Sequence, residues 1–159
     1  MMNIYVASSW RNRYQPGVVE FLRARGCQVY DFRHPPNRTG FAWRDIEAGW
    51  ESWSLPQYLR ALRHPAAEAG YAADMQGVHD ADACVLVLPC GRSAHLEAGY
   101  MAGAGKPVII YLPEKIEPEL MYKMAHHIAF TLPEIERGLH SGGGVQASLA
   151  SAAHVSTNA

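Results

Sequence analysis

Paired cysteines are missing from this chain. It has 3, Cys27, Cys84 and Cys90, with no CxxC among them; that odd number suits neither a disulfide framework nor a structural zinc site. No apolar stretch approaches the ~20 residues that span a bilayer, and no basic region precedes an apolar run at the N-terminus. Neither a membrane span nor a secretory leader is therefore expected, and the expected location is cytoplasmic. A net charge of −1 provides no long-range field for a nucleic acid polymer or an anionic membrane. Neither GxGxxG nor GxxxxGK[ST] occurs after the first apolar run, which disfavours ordinary dinucleotide and P-loop chemistry. Apart from adjacent His126 and His127, no acid cluster or histidine pair has ligand spacing, so no metal and no cofactor are expected. Internal repeats are absent too. What remains is an ordinary globular composition, 48% hydrophobic and 18% charged over 159 residues, which fits one domain with a sizeable core.

Acidic residues are scarce where the chain is most apolar. Between Ala83 and Pro113, Glu97 stands alone. There an apolar run (Ala83 to Leu88), a turn, a small-residue helix and a second apolar run (Val108 to Tyr111) read as one βαβ unit. Ahead of it, Asn3 to Ser8 and Cys27 to Phe32 read as strands, with a helix over Val18 to Arg23 closed by Gly26. From Phe41 to Arg63 the spacing of Trp43, Ile46, Trp50 and Trp53 predicts helix, with a new turn starting at Pro56. Pro65 to Ala81 predicts a further helix. After Tyr111, Pro113 to Lys123 reads as loop with a short helix. His127 to Phe130 is a last short strand, and a helical turn follows through Leu139. Residues 1–139 thus read as one α/β domain. The expected fold is a doubly wound, flavodoxin- or Rossmann-like three-layer sandwich on a roughly five-stranded parallel sheet. The Ser-, Gly- and Ala-rich residues 140–159 read as a flexible tail.

In such sheets ligands bind beyond the carboxyl ends of the strands. Glu97 is expected near the first turn of the helix that opens there, beside rather than opposite that helix's small-residue face, where a lone acid suits a reacting group. Ser93 reads as the helix cap, and Gly91, Arg92 and Ser93 together could offer amides, a guanidinium and a hydroxyl to an anion. Ser8, Ser9 and Arg11 follow the first strand to the same edge. Tyr5 lies within that strand, either as a core aromatic or as a phenol that orients a carboxylate. Asp74 sits mid-helix with no capping duty, which makes it a candidate ligand contact. Trp43 and Phe41 follow an irregular proline-rich passage and are either core or a wall on which a base could stack. His95 reads as a solvent-facing helix residue and Cys90 as structural, with a reactive thiol as the alternative.

Tyr5, Asp74, Ala81-Asp82-Ala83, Glu97-Ala98-Gly99-Tyr100 and Gly105-Lys106-Pro107 together resemble the nucleoside 2-deoxyribosyltransferase superfamily, which includes deoxynucleoside 5′-monophosphate N-glycosidases. That resemblance implies Glu97 as a nucleophile that attacks the anomeric carbon and forms a covalent glycosyl-enzyme. Tyr5 would orient it, and Asp74 would approach the base or its proton. A retaining double displacement needs one such carboxylate and one proton donor. The transferases carry an acid shortly before this glutamate, to hold sugar hydroxyls. Here Gly91-Arg92-Ser93 stands instead, and arginine with serine suits a phosphate. The expected partner is a small nucleoside or nucleotide. Two other readings remain open: hydrolysis of another nucleotide N-glycosidic bond such as that of NAD, and a non-catalytic nucleotide-binding or signalling module. The tryptophan stripe and the family's shared sites predict a homo-oligomer, a dimer first of all.

Overall fold

A computed structural model describes residues 1–141; most of the expected tail, residues 142–159, lies outside the described residues. Five strands form one all-parallel sheet: β1 (Asn3–Ala7), β2 (Gln28–Asp31), β3 (Ala83–Val87), β4 (Val108–Tyr111) and β5 (His127–Ala129), in the spatial order β2-β1-β3-β4-β5. Helices α1 (Gln15–Arg23), α2 (Leu55–Leu62), α3 (Pro65–Asp80), α4 (Arg92–Gly103) and α5 (Leu132–His140) complete the domain.

β3 and β4 are buried along their whole length, as their unbroken apolar runs require of strands covered on both faces. Alternate residues divide the core in two. Tyr5, Ala7, Cys84, Leu86, Val108 and Ile110 point to the side of α3 and α4. Ile4, Val6, Val85, Val87, Ile109 and Ile135 form the other core, with α1 and α5. This is the expected doubly wound sandwich.

The chain winds outward from β1 to β2, then returns to lay β3 on the other side of β1. That reversal opens a crevice at the carboxyl ends of β1 and β3, where doubly wound sheets of this order bind ligands. Lys106 explains the Gly-Lys-Pro string structurally. Gly105, at φ 77°, turns the chain out of α4 in a conformation that favours glycine. The Lys106 ammonium then donates to the carbonyls of Val78, His79 and Ala81 at 2.9, 2.7 and 2.7 Å, closing the end of α3.

Two expectations are corrected. The tryptophan segment is not a continuous helix. It makes two 3-10 turns, Trp43–Asp45 and Trp50–Ser52, before α2 begins behind Ser54. Asp45 turns its carboxylate back to the Ala42 amide and so caps the start of the first turn, and Gly49 opens the second. The 3-4-3 spacing instead brings Trp43 edge-on to both Phe41 and Trp53, with centroids 4.9 and 5.9 Å apart. The second correction concerns α4, whose N-cap is Gly91 rather than Ser93. The helix therefore starts earlier than the sequence suggests, and Glu97 falls in its second turn.

Candidate active site

Tyr5, Asp74 and Glu97 come from β1, α3 and α4, and the fold gathers them on one face of the sheet. Burial pushes the Glu97 carboxyl up to about 7, the negative charge of Asp74 adds to the rise, and the Tyr5 phenol opposes it. Tyr5 is fully buried, and burial followed by the charges of Glu97 and Asp74 raises its phenol far above the ordinary range. It stays a neutral donor. Its hydroxyl faces Glu97 but lies outside good hydrogen-bond geometry with any described group. A buried donor without a partner is costly, and the Glu97 carboxyl lies beside it.

Asp74 is also raised by burial, against the hydrogen bond from Tyr30 and the charge of Arg38, both of which lower it. Tyr30 donates to Asp74 Oδ1 at 2.9 Å. The two acids therefore sit in unlike surroundings: Asp74 accepts a hydrogen bond from Tyr30, and Glu97 has only the Tyr5 phenol beside it.

The loops after β1 and β3 are stitched together at the sheet edge. The Ser8 hydroxyl donates to the Val87 carbonyl at 2.9 Å, so Ser8 already has a structural partner. Asn12, buried, donates to the carbonyls of Val87 and Pro89 at 3.3 and 2.9 Å and accepts the Tyr14 and Gln15 amides at 2.7 and 2.8 Å. Arg33 holds the same loop from below through the carbonyls of Ser9 and Asn12. Ser9, Arg11, Asn12 and Cys90 line a cleft of about 360 Å³, with Arg13, Tyr14 and Glu114 along its wall. Arg13 and Tyr14 both reach Glu114, at 2.8 Å each.

A second cleft, about 200 Å³, lies on the other side of Cys90 and is lined by His95, Ile116, Glu117, Glu119 and Tyr122. Neither cleft is lined by Glu97 or Asp74. Cys90 connects them to the acids: burial first, then the Glu97 charge, pushes its thiol up to about 12. That shift disfavours the thiolate, although the Cys90 sulfur also lies 3.6 Å from His95 Nδ1. His95 is engaged on both sides. Its Nδ1 lies 2.8 Å from the Gly91 carbonyl, which can only accept, and its Nε2 lies 3.0 Å from the Tyr122 hydroxyl.

Of the expected anion-binding residues, Ser9 and Arg11 line the larger cleft. Arg92 and Ser93 are exposed on the first turn of α4 and line neither cleft, and Gly91 is that helix's cap. Trp43 packs edge-on to Phe41, which lies against α3 at Gly70, one turn before Asp74. Tyr30, Asn12, Arg33 and Arg38 escaped the sequence reading. Tyr30 alone left a trace, as an aromatic within the expected second strand.

No protein-family model matches this chain, and no curated protein matches it in sequence. Solved structures do. A 2-deoxyribosyltransferase from Bacillus psychrosaccharolyticus superposes with a TM-score of 0.52 at 20% identity, over 84% of this chain and 89% of that one. A conserved protein from Enterococcus faecalis V583 gives 0.53 at 16% identity, over 86% and 98%. The Clostridium botulinum CMP N-glycosidase BcmB gives 0.47 at 14% identity, over 86% and 96%. This chain is built on the fold that carries the Bacillus psychrosaccharolyticus 2-deoxyribosyltransferase.

Proposed function

We propose that the protein is an enzyme that cleaves or transfers the N-glycosidic bond of a (deoxy)nucleoside or nucleoside 5′-monophosphate, within the single domain of residues 1–139. The observation that carries this reading is the pair of unlike carboxyls, Glu97 and Asp74, beside the unpartnered Tyr5 hydroxyl. With one proton between them, one acid can attack as a carboxylate while the other protonates the departing base. Glu97 is the nucleophile: Tyr5 orients it, and its burial leaves the ionised form poorly solvated and reactive. Asp74 is the proton donor, and Tyr30 and Arg38 stabilise the carboxylate it becomes. The 2-deoxyribosyltransferase on the same fold, described as a biocatalyst for nucleoside synthesis, supports this class of substrate.

The larger cleft supports a phosphate subsite at Ser9 and Arg11, and the Phe41–Trp43 pair supports a stacking wall for the base. We also propose a homodimer. Leu55, Tyr58, Leu59 and Leu62 form an exposed helical stripe on α2, and Ala61 of the same helix is buried. A self-complementary contact between two copies covers such a stripe. Incubation with a panel of nucleosides and their monophosphates, followed by chromatography of the released base, tests the activity. Release from at least one member is expected. Release from none, with a nucleotide nevertheless bound, points to a binding module.

A further inference from the structure

Tyr30 and Tyr5 are register partners on neighbouring parallel strands, so both side chains leave the same face of the sheet. Their rings lie 8° from parallel with centroids 5.2 Å apart. Behind the Tyr30 ring is Gly77 of α3, where a Cβ would come within 2.6 Å of ring carbons Cγ and Cδ2. Glycine there lets the helix approach the ring closely. One turn earlier on the same helix, Asp74 Oδ1 accepts the Tyr30 hydroxyl at 2.9 Å. The charged and titratable groups that face Asp74 are Tyr30 from β2, Glu97 from α4, Arg38 from the segment after β2 and Tyr5 from β1.

We propose that Tyr30 is a positioning residue: it reserves Asp74 Oδ1 for itself and thereby assigns the transferable proton of Asp74 to Oδ2. The use of that proton rests on the glycosidic reading above. When the C–N bond breaks, its electron pair leaves with the base and the Oδ2 proton moves to a ring nitrogen of that base. A Glu97 oxygen forms the new bond to the anomeric carbon. Asp74 is left as a carboxylate, and a hydroxyl donates more strongly to a carboxylate than to an acid. One contact therefore fixes where the proton sits and favours its departure. The stack on Tyr5 and the contact with Gly77 hold the Tyr30 ring in place, so its hydroxyl has a fixed target.

Tyr30→Phe keeps the ring and its stack and removes only the hydroxyl. Carbon-13 NMR of the aspartate carboxyls, with Asp74→Asn to assign the signal, reads the Asp74 titration directly. In Tyr30→Phe that titration moves to higher pH, and the pH–rate profile for base release moves with it. The kcat for base release falls roughly tenfold, the scale of one hydrogen bond to a charged group, while KM stays within about threefold. An unchanged Asp74 titration overturns the assignment whatever the activity. A shifted titration in a wild-type protein that releases no base upholds Tyr30's role and overturns the glycosidic reading instead. Should Tyr30→Phe not fold, 3-fluorotyrosine at position 30 makes the test with opposite sign: the more acidic phenol moves the Asp74 titration down, and no movement overturns the proposal.

Discussion

Asp74 and Glu97 are neighbouring half-buried acids in unlike surroundings, and Asp74 accepts the Tyr30 hydroxyl at 2.9 Å. Burial raises both: with the charge of Asp74 it pushes Glu97 up to about 7, and it raises Asp74 against the opposing pull of Tyr30 and Arg38. Two half-buried carboxyls are thus given different surroundings by their neighbours.

This asymmetry has a thermodynamic signature. The folded value of Glu97 lies above its unfolded value, so between them the folded protein binds the extra proton. The contribution to stability is fully present below the unfolded pKa and is lost as pH rises through the folded one. Glu97→Gln has no proton to lose. Its stability relative to wild type should therefore improve by about 3 kcal/mol from about pH 4 to about pH 8. Urea unfolding at the two pH values measures this, and a pH-independent difference contradicts the burial of Glu97.

Lys106 closes α3 through three carbonyls. Lys106→Met retains most of the apolar stem but leaves those carbonyls without their charged donor. A loss of about 2 kcal/mol in a denaturant titration is expected, and a loss under ~0.5 kcal/mol removes the capping role.

Arg11 and Ser9 line the larger cleft, whereas Arg92 stands outside it. Monophosphates should accordingly be cleaved more efficiently than nucleosides. Arg11→Ala should lower kcat/KM for a monophosphate by at least about tenfold, since a charge-assisted contact contributes roughly 1.5–3 kcal/mol. Arg92→Ala should cost less. Equal efficiency for nucleoside and monophosphate in the wild type removes the phosphate subsite.

The α2 stripe predicts a mass of twice 17.5 kDa by light scattering at micromolar concentration. Leu59→Glu, a change at an exposed position, should halve that mass without unfolding the chain. A wild-type mass of 17.5 kDa refutes the dimer.

Much of this fold was legible because its central strands are unbroken apolar runs that only a doubly covered sheet accommodates. Glu97 and Asp74 were legible for the opposite reason: each is an acid where local structure gives it no task. Tyr30 was not, because a tyrosine in a strand is ordinary until the register sets it on Tyr5 and Gly77 brings α3 down onto it. Asn12 was hidden in the same way. Its partners Val87 and Pro89 are distant in sequence, and a loop asparagine carries no sign of them. The tryptophans misled because their spacing suits a helix as well as it suits two short turns closed by aromatic contacts. Ser93 misled because glycine in extended backbone also begins a helix, and Gly91 precedes it.

The most direct test of the central claim compares base release by wild type and Glu97→Ala on the best substrate of the panel, with circular dichroism to confirm the fold. Loss of essentially all release in the folded variant is predicted. Release within about tenfold of wild type, only ~1.4 kcal/mol of barrier, would contradict Glu97 as the nucleophile.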